Sequence, residues 1–133
     1  MTRVLADTSA YSAFLRGHAG VGDALRAADE IRVTPVVLGE LMAGYRGGTR
    51  RRANEDQLRF FLASPRVDVL PIDEDTAERY AAIVASLRSA GLQLGTNDLW
   101  IAASAMQHGL TVVTTDADFL RIPQILVEHH PVG

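Results

Sequence analysis

The sequence predicts an α/β fold: a mostly parallel central sheet of four to five short strands, flanked by helices. Three observations carry this. Short apolar runs rich in β-branched residues alternate with longer segments of helical periodicity, the pattern of strands joined by helical crossovers. Capping and breaking residues stand at the joins, among them Thr34-Pro35, Gly91 and Gly109. The 133 residues, 47% hydrophobic and 22% charged, suit one domain with one core over residues 1–133.

Taken in order, residues 2–6 form a short strand that ends at Asp7. Residues 10–16 form a helix stopped by Gly17. Thr8 or Ser9 alone can cap that helix, which leaves Asp7 surplus to the task. Residues 20–30 are amphipathic, with Val21, Ala24, Leu25 and Ala28 on one face, and residues 31–34 are a second strand. Thr34-Pro35 starts the next helix, which runs to about Tyr45. Within it Glu40 sits among Val36, Val37, Leu41 and Gly44, where an unpaired carboxylate is costly. It needs an arginine, a proton or a cation beside it.

Gly47-Gly48 breaks the chain, and residues 50–63 form a helix with Leu58, Phe61 and Leu62 inward. A third strand covers residues 67–70. Residues 73–90 form a long helix whose first-turn acids suit the helix dipole and are structural. Asp98 opens a further helix, with Leu99, Ile101, Ala102, Ala105 and Met106 on its apolar face, and Gly109 stops it. Residues 110–114 are a buried strand. Asp116 and Asp118 follow directly, at the carboxyl end of that strand. Residues 125–127 make a last edge strand, and a tail begins at His129. The chain carries no repeat, low-complexity stretch or internal linker.

Composition excludes several chemistries. There is no Cys, so no disulfide, thiolate nucleophile or Cys-ligated zinc. All thirteen basic residues are Arg, which removes Schiff-base chemistry and the lysine of a P-loop. His18, His108, His129 and His130 lack the spacing of a helical zinc site and read as surface residues. No apolar run approaches a membrane span and the amino terminus enters a strand at once, so the expectation is a cytoplasmic protein with no membrane partner. The net charge of −3 is not that of a globally basic nucleic-acid binder. Arg46, Arg50, Arg51 and Arg52 nevertheless lie in a segment free of acids. Three of them open a helix, where the dipole disfavours cations, which fits either phosphate contact or a solvated charged turn.

In an open α/β sheet, ligands bind at the carboxyl ends of the strands. Asp7 and Asp116 follow strand ends, Asp98 opens a helix, and Glu40 lies in a helix that leaves a strand end. All four can converge on one rim. Carboxylates brought together repel, and a hard divalent cation, Mg²⁺ or Mn²⁺, relieves that repulsion with oxygen ligands.

The set Asp7-Thr8-Ser9, Glu40 within VVLGEL, Asn97 to Ala103, and Thr114 to Phe119 resembles the PIN-domain nucleases, and its size and motif order look like the VapC toxins of VapBC toxin–antitoxin pairs. The resemblance covers essentially the whole chain. It implies a PIN-like three-layer sandwich and a Mg²⁺- or Mn²⁺-dependent endoribonuclease that hydrolyses RNA phosphodiester bonds through metal-activated water. It implies that Asp7, Glu40, Asp98 and Asp116 are the catalytic and metal-holding acids, with Asp118 accessory. Thr8, Ser9, Asn97 and Thr115 would orient ligands or waters. It further implies a homodimer, possibly within a higher toxin–antitoxin assembly, a VapB-type antitoxin whose arginine-bearing segment covers the acids, and a structured RNA substrate such as tRNA or rRNA. Arg46 and Arg50 to Arg52 would bind that RNA. Two other classes compete. A phosphatase-like α/β hydrolase wants a second Asp two residues after the first and a distant Lys, and here Ser9 stands in that place and Lys is absent. A non-catalytic RNA- or protein-binding module on the same fold would not need an intact acid set.

Overall fold

The computed structural model describes residues 1–132. Five strands, β1 (Arg3–Ala6), β2 (Glu30–Val33), β3 (Val67–Val69), β4 (Thr111–Thr114) and β5 (Leu126–His129), form one sheet in the order β3-β2-β1-β4-β5. Every pairing is parallel, so the sheet is wholly rather than mostly parallel. The helices are α1 (Thr8–Leu15), α2 (Ala19–Ala27), α3 (Pro35–Arg46), α4 (Arg51–Leu62), α5 (Glu74–Ser89) and α6 (Thr96–His108), with a short 3-10 helix at Ala117–Arg121. No helix among the described residues is long and apolar enough to cross a membrane.

The sheet is covered on both faces. Leu5 and Val112 point into one core with Leu41, Ile83, Leu87 and Ile101, supplied by α3, α5 and α6. Their strand neighbours Val4, Ala6 and Val113 point into the other, with Ala10, Ala13, Val21 and Leu25 from α1 and α2. This is why β1 and β4 read as continuous apolar runs instead of alternating ones.

Three local expectations change. Asp7 is itself the N-cap of α1, its side chain accepting from the Ala10 N–H, so it is not surplus to capping. The helix carrying Asp98 starts earlier, at Thr96 with Gly95 at the cap, which puts Asp98 in the first turn. The last strand runs through His129, paired to Thr114, and the His130 N–H reaches the Thr114 carbonyl at 2.9 Å. Two histidines before a proline carry no strand signal of their own, and only β4 beside them makes a strand there.

The strand order places the site. From β1 the chain proceeds outward to β2 and β3, then returns to lay β4 against the other side of β1. The crevice between the carboxyl ends of β1 and β4 is the topological switch point, where α/β sheets bind ligands. Asp7 follows β1 and Asp116 follows β4.

Candidate active site

Asp7 is 4% exposed. Its Oδ1 accepts from the Ala10 N–H at 2.8 Å, its Oδ2 from the Thr114 hydroxyl at 2.7 Å, and the Ser9 hydroxyl spans both oxygens at 2.8 and 2.9 Å. Burial pushes its carboxyl above the ordinary range, the Thr114, Ala10 and Ser9 hydrogen bonds pull the other way, and the charge of Asp116 adds to the rise. The carboxylate that caps α1 therefore also faces the acids across the crevice, and one side chain meets both demands.

Asp116 repeats the device at β4. It caps the 3-10 helix, its Oδ1 accepting from the Asp118 N–H at 2.9 Å, while its own N–H donates to Thr114 Oγ1 at 2.9 Å. Glu40 is held from two sides: Thr8 donates to Oε1 at 2.6 Å and the Asn97 amide to Oε2 at 3.2 Å. Those contacts join α1, α3 and α6 around one carboxylate.

Asp98, Asp116 and Asp118 each offer an oxygen within 4.8 Å of the other two. Burial raises the Asp98 carboxyl from 3.8 to about 6, with the charges of Asp116, Asp7, Glu40 and Asp118 adding to it in that order. All five acids thus act on one point. Asp7 and Glu40 lie outside the closest trio, held by their hydrogen bonds, and Asp118 lies inside it. Among the described residues no arginine or histidine forms an ion pair with any of the five. The arginine that Glu40 would otherwise require is not there. Clustered hard oxygen donors without a protein cation fit a divalent ion of the Mg²⁺ or Mn²⁺ type and suit zinc poorly.

The sequence reading placed Thr114 in a motif but gave it no role of its own. It is fully buried, and its hydroxyl links Asp7 to the backbone of Asp116. Inside a β-branched run a threonine looks like core, and only its position as the last strand residue before Asp116 hinted otherwise. Thr115, expected to orient ligands, contacts its neighbours through its backbone: its N–H donates to Ser9 Oγ at 3.0 Å, and its carbonyl lies 3.3 Å from His129 Nε2.

The arginines divide. Arg51 pairs with Glu55 one turn along α4 at 3.3 Å. Arg46, Arg50 and Arg52 are exposed and make no ion pair among the described residues. Of the histidines, His18 caps α2 by accepting from the Val21 N–H, and His130 pairs with Glu128.

Five parallel strands in this order, with acids at the β1–β4 crevice, define a class of α/β protein, and the family comparison agrees: residues 4–125 match the PIN domain model. Among individual relatives, the chain is 37% identical to Ribonuclease VapC4 of Mycobacterium tuberculosis, over 94% of this chain and 95% of that protein. Its fold superposes on the toxin–antitoxin complex VapBC-5 of Mycobacterium tuberculosis with TM-score 0.76 and 32% identity, covering 99% of this chain and 100% of that one. It superposes on DNA-bound VapBC from Salmonella typhimurium with TM-score 0.85 and 26% identity, covering 97% and 98%. The chain belongs to the PIN-domain family, in its VapC branch.

Proposed function

We propose that this protein is a metal-dependent endoribonuclease, the toxin of a toxin–antitoxin pair, which blocks translation by hydrolysing phosphodiester bonds in a structured RNA such as tRNA or rRNA. The observation that carries this reading is the meeting of Asp98, Asp116 and Asp118 at the switch point without a neutralising arginine. Its relatives' names, ribonuclease and toxin–antitoxin complex, support the substrate class and the partner.

Asp98, Asp116 and Asp118 would hold the ion, with Asp7 and Glu40 completing the negative rim. A bound Mg²⁺ or Mn²⁺ supplies positive charge for the phosphate oxygens and lowers the pKa of water. The chain's own contribution is positional. Thr114 and Ser9 fix Asp7, while Thr8 and Asn97 fix Glu40, so the acids need little reorganisation when substrate arrives. Water is the nucleophile and no side-chain nucleophile is required, which fits a chain without Cys or Lys. Arg46, Arg50 and Arg52 would hold phosphates away from the scissile bond. The working form is a cytoplasmic homodimer that a VapB-type antitoxin inhibits.

The test is incubation with bulk RNA and Mg²⁺ or Mn²⁺, with EDTA and Asp98→Ala as controls. Metal-dependent fragments, absent from both controls, are the expected result. RNA that is bound but never cut would assign the chain to the non-catalytic binding class.

A further inference from the structure

A second hollow opens beside the acids. It has a volume of about 510 Å³ and lies between the later turns of α5, the 90–95 connection and the first turn of α6. The cleft that holds Glu40, Asn97 and Asp98, about 360 Å³, shares Thr96 with it. Both hollows thus border on Thr96, at the start of α6. Asp98 follows Thr96 by two residues in the first turn of α6, so a strand whose phosphate lies at Asp98 passes next to the residue that borders the larger hollow.

We propose that this larger cavity is a nucleobase subsite, which takes one base of single-stranded RNA adjacent to the phosphate at Asp98; it rests on the nuclease reading above. Its volume is in the range of small-ligand pockets, about 300–1,000 Å³. Its lining is mixed and more polar than apolar, with Leu94 and the Tyr80 ring supplying the apolar surface that suits the flat face of a base. Tyr80 stacks on Trp100 with ring centroids 4.1 Å apart, which fixes its plane. Arg88 and Gln93 stand exposed on the lining and have no hydrogen-bonded or ionic side-chain partner among the described residues. A guanidinium and an amide can read the edge of an unpaired base, which is how single-stranded RNA is recognised in sequence-specific fashion. The shared border at Thr96 with the cleft that holds Asp98 favours a nucleotide over a peptide as the occupant.

Two measurements test this on the full chain. Trp100 is the single tryptophan and sits behind the cavity wall, so its fluorescence reports occupancy. Titration with AMP, GMP, CMP and UMP in Mg²⁺ should give a saturable change, strongest for one base, and Arg88→Ala and Gln93→Ala should weaken it about tenfold. No saturable change with any of the four up to about 10 mM overturns the proposal. In the second, new 5′ ends are sequenced after cleavage of a random single-stranded RNA pool. The wild type should prefer one base within two nucleotides of the cut by about tenfold, falling to about twofold in the variants. A wild type that cuts without preference there, or variants that keep the preference, overturns the subsite and leaves the nuclease reading standing. A wild type that cuts no RNA overturns the nuclease reading, and the subsite is then decided by the titration. Variants that change antitoxin affinity while leaving the nucleotide response intact assign the lining to a peptide and overturn the proposal.

Discussion

Thr114 donates a 2.7 Å hydrogen bond to Asp7 across two adjacent parallel strands, although 107 residues separate them in the chain. The same hydroxyl accepts from the Asp116 N–H. One buried oxygen thus sets the spacing of two acids that arrive from different strand ends. Thr114→Val keeps the shape and removes the hydroxyl, leaving a buried carboxylate short of a donor. The expected outcome is a loss of about 1–3 kcal/mol in urea unfolding and a fall in cleavage rate of about 10–100-fold. Thr114→Ser should restore most of both.

Removing the metal should make stability depend on pH in a defined direction. The Asp98 carboxyl is raised from 3.8 to about 6 in the fold, so the folded chain binds that proton more tightly than the unfolded one. Stability from this group is complete below about pH 4 and is lost as pH rises through about 6. Asp7, also raised, acts in the same direction. Asp73, held low by the Thr76 N–H, acts oppositely, but only below its ordinary 3.8. In EDTA the thermal midpoint should be lower at pH 7.5 than at pH 5, and Asp98→Asn should shrink that difference. Added Mg²⁺ should raise the midpoint at pH 7.5 by binding the folded state alone. A wild type and variant with the same pH dependence would remove Asp98 from the balance.

The arginines should separate in a salt titration. For single-stranded RNA, each arginine that engages a phosphate adds about 0.7 to the slope of log K against log salt. Arg50→Ala and Arg52→Ala should weaken RNA binding and flatten that slope. Arg51→Ala should do less, because Glu55 already engages its side chain. Equal effects from all three would remove the distinction drawn at Arg51, and no effect from any would remove the phosphate role.

The fold was largely legible in the sequence because its signals are local. The β-branched run before Asp116 and the Thr34-Pro35 start each declare themselves within a few residues, and both elements lie as read. β5 was underestimated because its pairing with β4 is a tertiary fact. The acids were visible as residue types at strand ends, but their ranking was not. Asp118 joins the closest trio because the chain turns into a 3-10 helix at Asp116, and Asp7 is drawn aside by its cap and by Thr114. Capping and a role in the site looked like competing uses of Asp7, since a one-dimensional reading assigns one role to each side chain. In three dimensions a carboxylate has two oxygens and several lone pairs.

The most direct measurement is a calorimetric titration of Mn²⁺ into the protein, run beside RNA cleavage over the same metal concentrations. The expected result is saturable binding that Asp98→Asn and Asp116→Asn both abolish, with cleavage rising along the same curve. Cleavage that persists in EDTA, or Mn²⁺ binding unchanged in both variants, would contradict a single cation site built from these acids.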